Sequence, residues 1–102
     1  MDKLLSLMGL CRRAGRLGVG HDAVFDAVRK GRAKAVILTC DASARHEKEL
    51  EAAAFTGRIV KAGFTMEQAG LAVGKRSCVF SVEDEGFATA IEKTLEEEGL
   101  RI

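Results

Sequence analysis

Six consecutive residues, Ala35-Val36-Ile37-Leu38-Thr39-Cys40, constrain this chain more than any other stretch. The first four side chains are apolar, with no polar residue between them. A strand with one face in water alternates apolar and polar positions. A continuous run of this kind reads instead as a strand covered on both faces. Helices must then lie on both sides of the sheet that holds it.

The rest of the chain supplies those helices. Leu4, Leu7, Met8, Cys11 and Ala14 recur at helical spacing and predict a helix over 2–14. Asp2 stands at its start, and Gly15 provides a left-handed stop. Arg16 to Val19 reads as a short extended piece. Val24, Ala27 and Val28, with Phe25 beside them, predict a second helix over 22–30 that ends at Gly31. Asp41-Ala42-Ser43 leads into a third, expected to reach Phe55 and to stop at Gly57. In it Leu50, Ala53 and Ala54 pack inward, while Glu47, Lys48, Glu49, Glu51 and His46 face solvent. Arg58 to Lys61 is a short strand. Thr65 and Gln68 match a capping box, which opens a short helix that ends at Gly74. Cys78 to Val82 is a strand. Phe87, Ile91 and Leu95 mark a last helix that begins near Asp84 or Glu85 and ends at Gly99. Helices and strands alternate from end to end, so the expected fold is α/β. It is a three-layer α-β-α sandwich around a central, largely parallel sheet.

Composition excludes several classes of protein. The 102 residues suit one domain, and 47% apolar with 30% charged residues suits a soluble folded chain. No apolar run approaches the length of a membrane helix, and Met1 to Leu10 lacks the pattern of a secretory signal, so a cytoplasmic protein is expected. Cys11, Cys40 and Cys78 are odd in number and scattered, which predicts reduced and mostly buried thiols rather than a disulfide scaffold. Tyrosine and tryptophan are absent, which removes the usual stacking platform of single-strand RNA binders.

Net charge is only +1, but it is unevenly spread. Residues 1–34 carry eight basic side chains against three acidic ones, and residues 83–102 carry two against seven. A chain with one basic end and one acidic end can attract phosphate locally.

Two segments carry candidate chemistry. In Gly15-Arg16-Leu17-Gly18-Val19-Gly20-His21-Asp22, three glycines precede a helix start. The free amides and dipole of a first helical turn favour an anion, and small residues let it approach. The spacing matches neither the dinucleotide fingerprint nor a P-loop. In Gly70-Leu71-Ala72-Val73-Gly74-Lys75-Arg76-Ser77, a helix ends at a glycine and two cations lead into the next strand. That arrangement suits a phosphate or groove contact. An enzyme would need a nucleophile, and Cys40 at the end of the central strand, with His46 six residues on, is the pair to consider. No close pair of metal ligands occurs, so neither a metal nor another cofactor is expected.

Taken together these segments resemble a known family. Leu7-Met8-Gly9-Leu10, Arg12-Arg13-Ala14-Gly15-Arg16-Leu17 and Gly20-His21-Asp22-Ala23-Val24 carry the likeness. So do Ala33-Lys34 before the strand, Asp41-Ala42-Ser43, Ala69 to Lys75, and Asp84-Glu85-Gly86-Phe87-Ala88. In order and spacing the chain resembles the kink-turn RNA-binding ribosomal proteins of the archaeal L-seven-A-e and eukaryotic L-thirty type, and most of all their small bacterial YlxQ-like branch. The resemblance implies a four-stranded mixed sheet, no catalysis and a structured RNA as partner, in a ribosomal or translational setting. Nothing in the sequence demands more than a monomer. The resemblance gives RNA contact to Gly20, His21, Asp22 and Ala23, and to Val73, Gly74, Lys75, Arg76 and Ser77. The loop at Asp41 lies nearby, and Arg16 would hold phosphate. Two departures stand out. Family members often carry Asn-Glu where this chain has Asp22-Ala23, and usually a cation where it has Asp26. Asp26 is therefore expected to oppose RNA beside Asp22. A protein-interaction module of the same fold is the alternative reading.

Overall fold

Nine elements alternate along the chain in the computed structural model, which describes residues 3–99. They are α1 (Lys3–Arg13), β1 (Leu17–Val19), α2 (His21–Arg29), β2 (Ala35–Leu38), α3 (Arg45–Ala52), β3 (Arg58–Lys61), α4 (Met66–Val73), β4 (Val79–Val82) and α5 (Glu85–Gly99). The cap expected at Asp2 lies outside the described residues. No helix among them is long and apolar enough to cross a membrane.

The run at residues 35–40 sits inside the sheet, as its composition demands. Ala35 and Ile37 join a core cluster with Leu4, Met8 and Cys11 of α1, Ala69 and Val73 of α4, and Ile91 of α5. Val36 and Leu38 point the other way, into a cluster with Val24 and Phe25 of α2 and Leu50 of α3. The sheet therefore has α1, α4 and α5 on one face and α2 and α3 on the other. This is the three-layer sandwich expected from the sequence.

Strand direction departs from the periodicity reading. The order is β1-β4-β2-β3, and of the three hydrogen-bonded pairs only β2–β3 is parallel. β4 lies between β1 and β2 and is antiparallel to both, with Val19 opposite Phe80 and Leu38 opposite Val79. The sheet is mixed, as the family resemblance implied, rather than largely parallel. The reason lies in the connection before β4. A parallel crossover must carry the chain back along the full strand length. Here α4 starts at the edge where β2 and β3 end, held by Asp41. The segment that follows α4 returns to that same edge, where it enters β4.

Helix ends follow local chemistry. The capping box of α4 forms as predicted: the Gln68 amide donates to Thr65 Oγ1 at 3.2 Å, and the Thr65 amide to Gln68 Oε1 at 2.8 Å. α3 stops earlier than predicted. Its amides at Ala54 and Phe55 bond back to Glu51 O (3.0 Å) and Leu50 O (3.1 Å). This is the double closure that usually places glycine at the left-handed position. Here that position is Ala54, at φ +56°. Ala53 and Ala54 are consequently exposed rather than packed. Gly57 plays another part, because a Cβ there would come within 2.8 Å of the Lys34 carbonyl.

An L-residue in the left-handed region costs about 1–2 kcal/mol, of which glycine's extra unfolded-chain entropy offsets roughly half. Ala54→Gly is therefore expected to raise stability by about 0.5–1 kcal/mol. Urea unfolding checks this, and an unchanged or lower midpoint would show that the strain is relieved elsewhere.

Candidate nucleic-acid interface

Three strands end and one begins at the same edge of the sheet. β1, β2 and β3 leave it there, and β4 enters it. Backbone bonds stitch the adjoining loops together. The Gly20 amide donates to Val79 O (3.2 Å), the Thr39 amide to Cys78 O (3.0 Å) and the Cys40 amide to Phe64 O (2.9 Å). Residues 20–23, 39–43 and 74–78, far apart in sequence, thus share one rim of the molecule.

The head of α2 opens on that rim. Gly20 holds φ +97°, which only glycine adopts without strain. Among the described residues no side chain caps this helix. The Val24 amide reaches Gly20 O at 3.0 Å, while those of His21, Asp22 and Ala23 have no acceptor among the described residues. Gly18, one strand residue earlier, answers a different need: a Cβ there would collide with the Ser81 hydroxyl on the neighbouring strand.

His21 is tied down on both sides. Its Nε2 lies 2.7 Å from Glu49 Oε2 on α3, and its Nδ1 lies 3.2 Å from Asp22 Oδ1. The ring rests on Phe25 with centroids 4.6 Å apart. The bond to Glu49, and then that to Asp22, raises the histidine pKa above its ordinary value. The same bond to His21 holds Glu49 below the usual carboxylate range. Sequence reading had turned Glu49 to solvent, and no local pattern links it to a residue on another helix.

Asp26 is not a second bare carboxylate beside Asp22. It accepts from Lys30 Nζ at 3.3 Å and from Arg32 Nη2 at 3.1 Å, and these cations lower its pKa, Arg32 foremost. Arg32 Nε continues to Glu83 at 3.1 Å, just past the far end of β4. The charge is matched and belongs to the opposite edge of the sheet. Arg16 also stands at that far edge, where its amide bonds Cys11 O and its carbonyl accepts from Glu83. It is separated from Gly20 by the length of β1, roughly 13 Å along the strand, and does not join the cluster.

The second loop contributes more selectively than expected. Gly74, at φ +85°, closes α4, and its amide donates to Gly70 O at 2.8 Å. Lys75 and Arg76 are exposed, and among the described residues neither makes an ion pair. Arg76 folds back over α4, so that a Cβ at Gly70 would lie 3.2 Å from its Cα. Val73 is buried in the core. Ser77 is buried too: its hydroxyl donates to Val79 O (2.9 Å) and accepts from the Val79 amide (3.2 Å). These two side chains shape the loop and leave contact to their neighbours. Asp41 is likewise engaged. Its Oδ1 accepts from Thr39 Oγ1 (2.7 Å) and from the Met66 amide (3.0 Å), and the Thr39 bond chiefly lowers its pKa. It pins the start of α4 to the rim. A pocket of about 370 Å³ opens beside it, lined by Thr39, Cys40, Ser43, Glu47 and Lys61 among others.

The thiols fall differently from the sequence reading. Cys40 is exposed and has no histidine partner. His46 is buried: its Nδ1 donates to Ser43 O (3.2 Å), and its Nε2 faces Cys78 Sγ at 3.9 Å. The Cys40–His46 pair does not form. Cys11 is buried against Arg16 O, and that burial, followed by Asp84 and Glu83, pushes its pKa up to about 11. No cluster of three metal-ligating side chains occurs among the described residues.

No family model matches the chain. Individual relatives do. The RNA-binding protein YlxQ of Bacillus subtilis is 33% identical over 87 residues, covering 83% of this chain and 87% of that protein. The RNA-binding protein YlxQ of Enterococcus faecium is 28% identical over 96 residues, covering 93% of each. Among solved structures, a Bacillus halodurans protein of unknown function superposes with a TM-score of 0.84 at 31% identity, over 94% of this chain and 99% of that one. The 15.5 kD RNA binding protein of Giardia lamblia superposes with a TM-score of 0.72 at 18% identity, over 97% and 87%. That last likeness is one of fold. The identity to the B. subtilis protein along most of both chains, together with the mixed-sheet sandwich, shows that the chain belongs to the YlxQ family, the bacterial branch of the L-seven-A-e and L-thirty type.

Proposed function

We propose that this protein binds structured RNA of the kink-turn kind and catalyses no reaction. The observation that carries this reading is the rim itself. Uncapped amides at the head of α2 stand on the same edge as the loop with the exposed cations Lys75 and Arg76. Backbone N–H groups at a helix start and side-chain cations both hold phosphate. The kinked duplex offers a bent backbone and exposed base edges, which suits a surface that reads shape. The pocket beside Asp41 offers room for a base turned out of the stack. The names of the YlxQ relatives support RNA as ligand. A ribosomal or other translational RNA in the cytoplasm, bound by one protomer, completes the reading.

A second reading has one observation in its favour. Leu71 is 86% exposed and Leu10 48%, beside a groove between α1 and α4. An exposed apolar patch suits a protein partner. A pure interaction module would leave RNA unbound, so one titration separates the two.

The test is a fluorescence-anisotropy titration with a kink-turn hairpin and with a control in which Watson–Crick pairs replace the sheared G·A pairs. Preference for the kinked RNA, with affinity falling as salt rises, is expected. Equal binding to both, or none to either, would overturn the proposal. Lys75→Glu and Arg76→Glu should each weaken binding by roughly tenfold and lower the salt slope by about one, with the urea midpoint unchanged; wild-type curves would remove this loop from the interface. Gly20→Val should abolish binding, because a β-branched residue resists the positive φ that presents the amides of α2. Full affinity in a variant that keeps the wild-type circular dichroism would exclude the helix head.

A further inference from the structure

The imidazole of His21 sits between two carboxylates, and only one of its protonation states satisfies both. Nε2 is 2.7 Å from Glu49 Oε2, and Nδ1 is 3.2 Å from Asp22 Oδ1. An ionised carboxylate only accepts hydrogen bonds. A neutral imidazole has one N–H, so its second nitrogen would turn a lone pair toward the other carboxylate. The imidazolium donates to both. It also cancels one of the two negative charges that stand against the free amides of His21, Asp22 and Ala23.

We infer that protonation of His21 regulates RNA binding, the imidazolium being the form in which the head of α2 accepts phosphate. This inference rests on the RNA-binding reading of the rim. With the proton in place, His21 draws Asp22 and Glu49 onto itself and ties α2 to α3. Without it, one carboxylate is released beside the phosphate site, and the local charge becomes more negative by one.

Among the described residues His21 is the imidazole bonded to carboxylates. On α2 it faces Asp22 and the Phe25 ring. On α3 it faces Glu49, whose other oxygen, Oε1, lies 3.8 Å from Arg45 Nε, and the ring of His46 at 6.2 Å. The His46 nitrogens are directed elsewhere, to Ser43 O and to Cys78 Sγ of the loop before β4. Glu49, and after it Asp22, raise the His21 pKa. A raised histidine pKa means that the latch is complete below the ordinary histidine range and is lost as pH rises through the raised value. A phosphate nearby favours the same form, so RNA and proton bind cooperatively, each strengthening the other by the same factor.

The experiment uses the full chain and the kink-turn hairpin, titrated from about pH 5.5 to 8.5 at fixed salt. NMR of the imidazole carbons follows His21 and His46 in the free protein. Wild-type affinity should fall above the His21 pKa by up to about tenfold per pH unit, the limit for one linked proton. His21→Gln should bind at the weak high-pH level throughout, without an inflection. Glu49→Gln should lower the NMR pKa of His21 and move the binding inflection down with it. A flat wild-type curve, an inflection that survives His21→Gln, or one that does not follow His21 in Glu49→Gln would each overturn the inference while leaving RNA binding intact. Absence of binding at every pH would overturn the RNA reading and this inference with it. The free-protein titrations would still report whether the His21–Glu49 bond forms.

Discussion

The hydrogen bonding of β4 into the gap between β1 and β2 is the constraint on which the rest of the molecule depends. All four of its residues, Val79 to Val82, are buried. Phe80 and Val82 feed one core cluster and Val79 the other, so this strand joins the two halves of the sandwich. Because it runs against its neighbours, its start meets their ends. That single reversal brings residues 74–78 beside the glycine-led start of α2. A parallel β4 would send Lys75 and Arg76 to the edge where Arg16 and the Asp26–Arg32–Glu83 network lie.

Charge in this molecule is organised by pairing rather than by ends. Arg32 of the basic first third bonds Glu83 at the start of the acidic last fifth, and Lys3 reaches Glu97 at 3.6 Å. The contrast visible in the sequence is therefore partly cancelled where the two regions meet. Exposed ion pairs of this kind contribute little to stability. Their effect here is to quiet the far edge, while Lys75 and Arg76 stand exposed at the loop before β4. The His21–Glu49–Asp22 cluster applies the same device to the head of α2, with a partner whose charge depends on pH.

Much of this architecture was legible from local pattern. The doubly buried β2, the capping box of Thr65 and Gln68, the glycine stops at Gly15, Gly31 and Gly74 and the apolar stripes of α1, α2 and α5 all reflect interactions within a few residues. The candidate site was legible as two segments, Gly20 to Ala23 and Gly74 to Arg76. What escaped reading is long-range. The direction of β4, the burial of His46 against Cys78 and the bond from His21 to Glu49 depend on which elements become neighbours. Arg16 illustrates the same limit: it is near Gly20 in sequence, yet a strand carries it to the other edge. The early end of α3 escaped for a local reason, since alanine gives no sign that it will take a left-handed turn.

The central place of β4 also fixes an order of events during synthesis. β1 and β2 are not neighbours in the finished sheet, and the strand that separates them is the last of the four to leave the ribosome. Until then β2 can form its parallel ladder only with β3, while β1 has no strand to lie against. Loop closure must therefore span most of the chain before the sheet is whole, a topology that slows folding relative to one built from neighbouring hairpins. The edge of β2 that will bond β4 stays unpaired in the meantime. A nascent chain stalled before Val79 would expose an open strand edge, the place where aggregation begins.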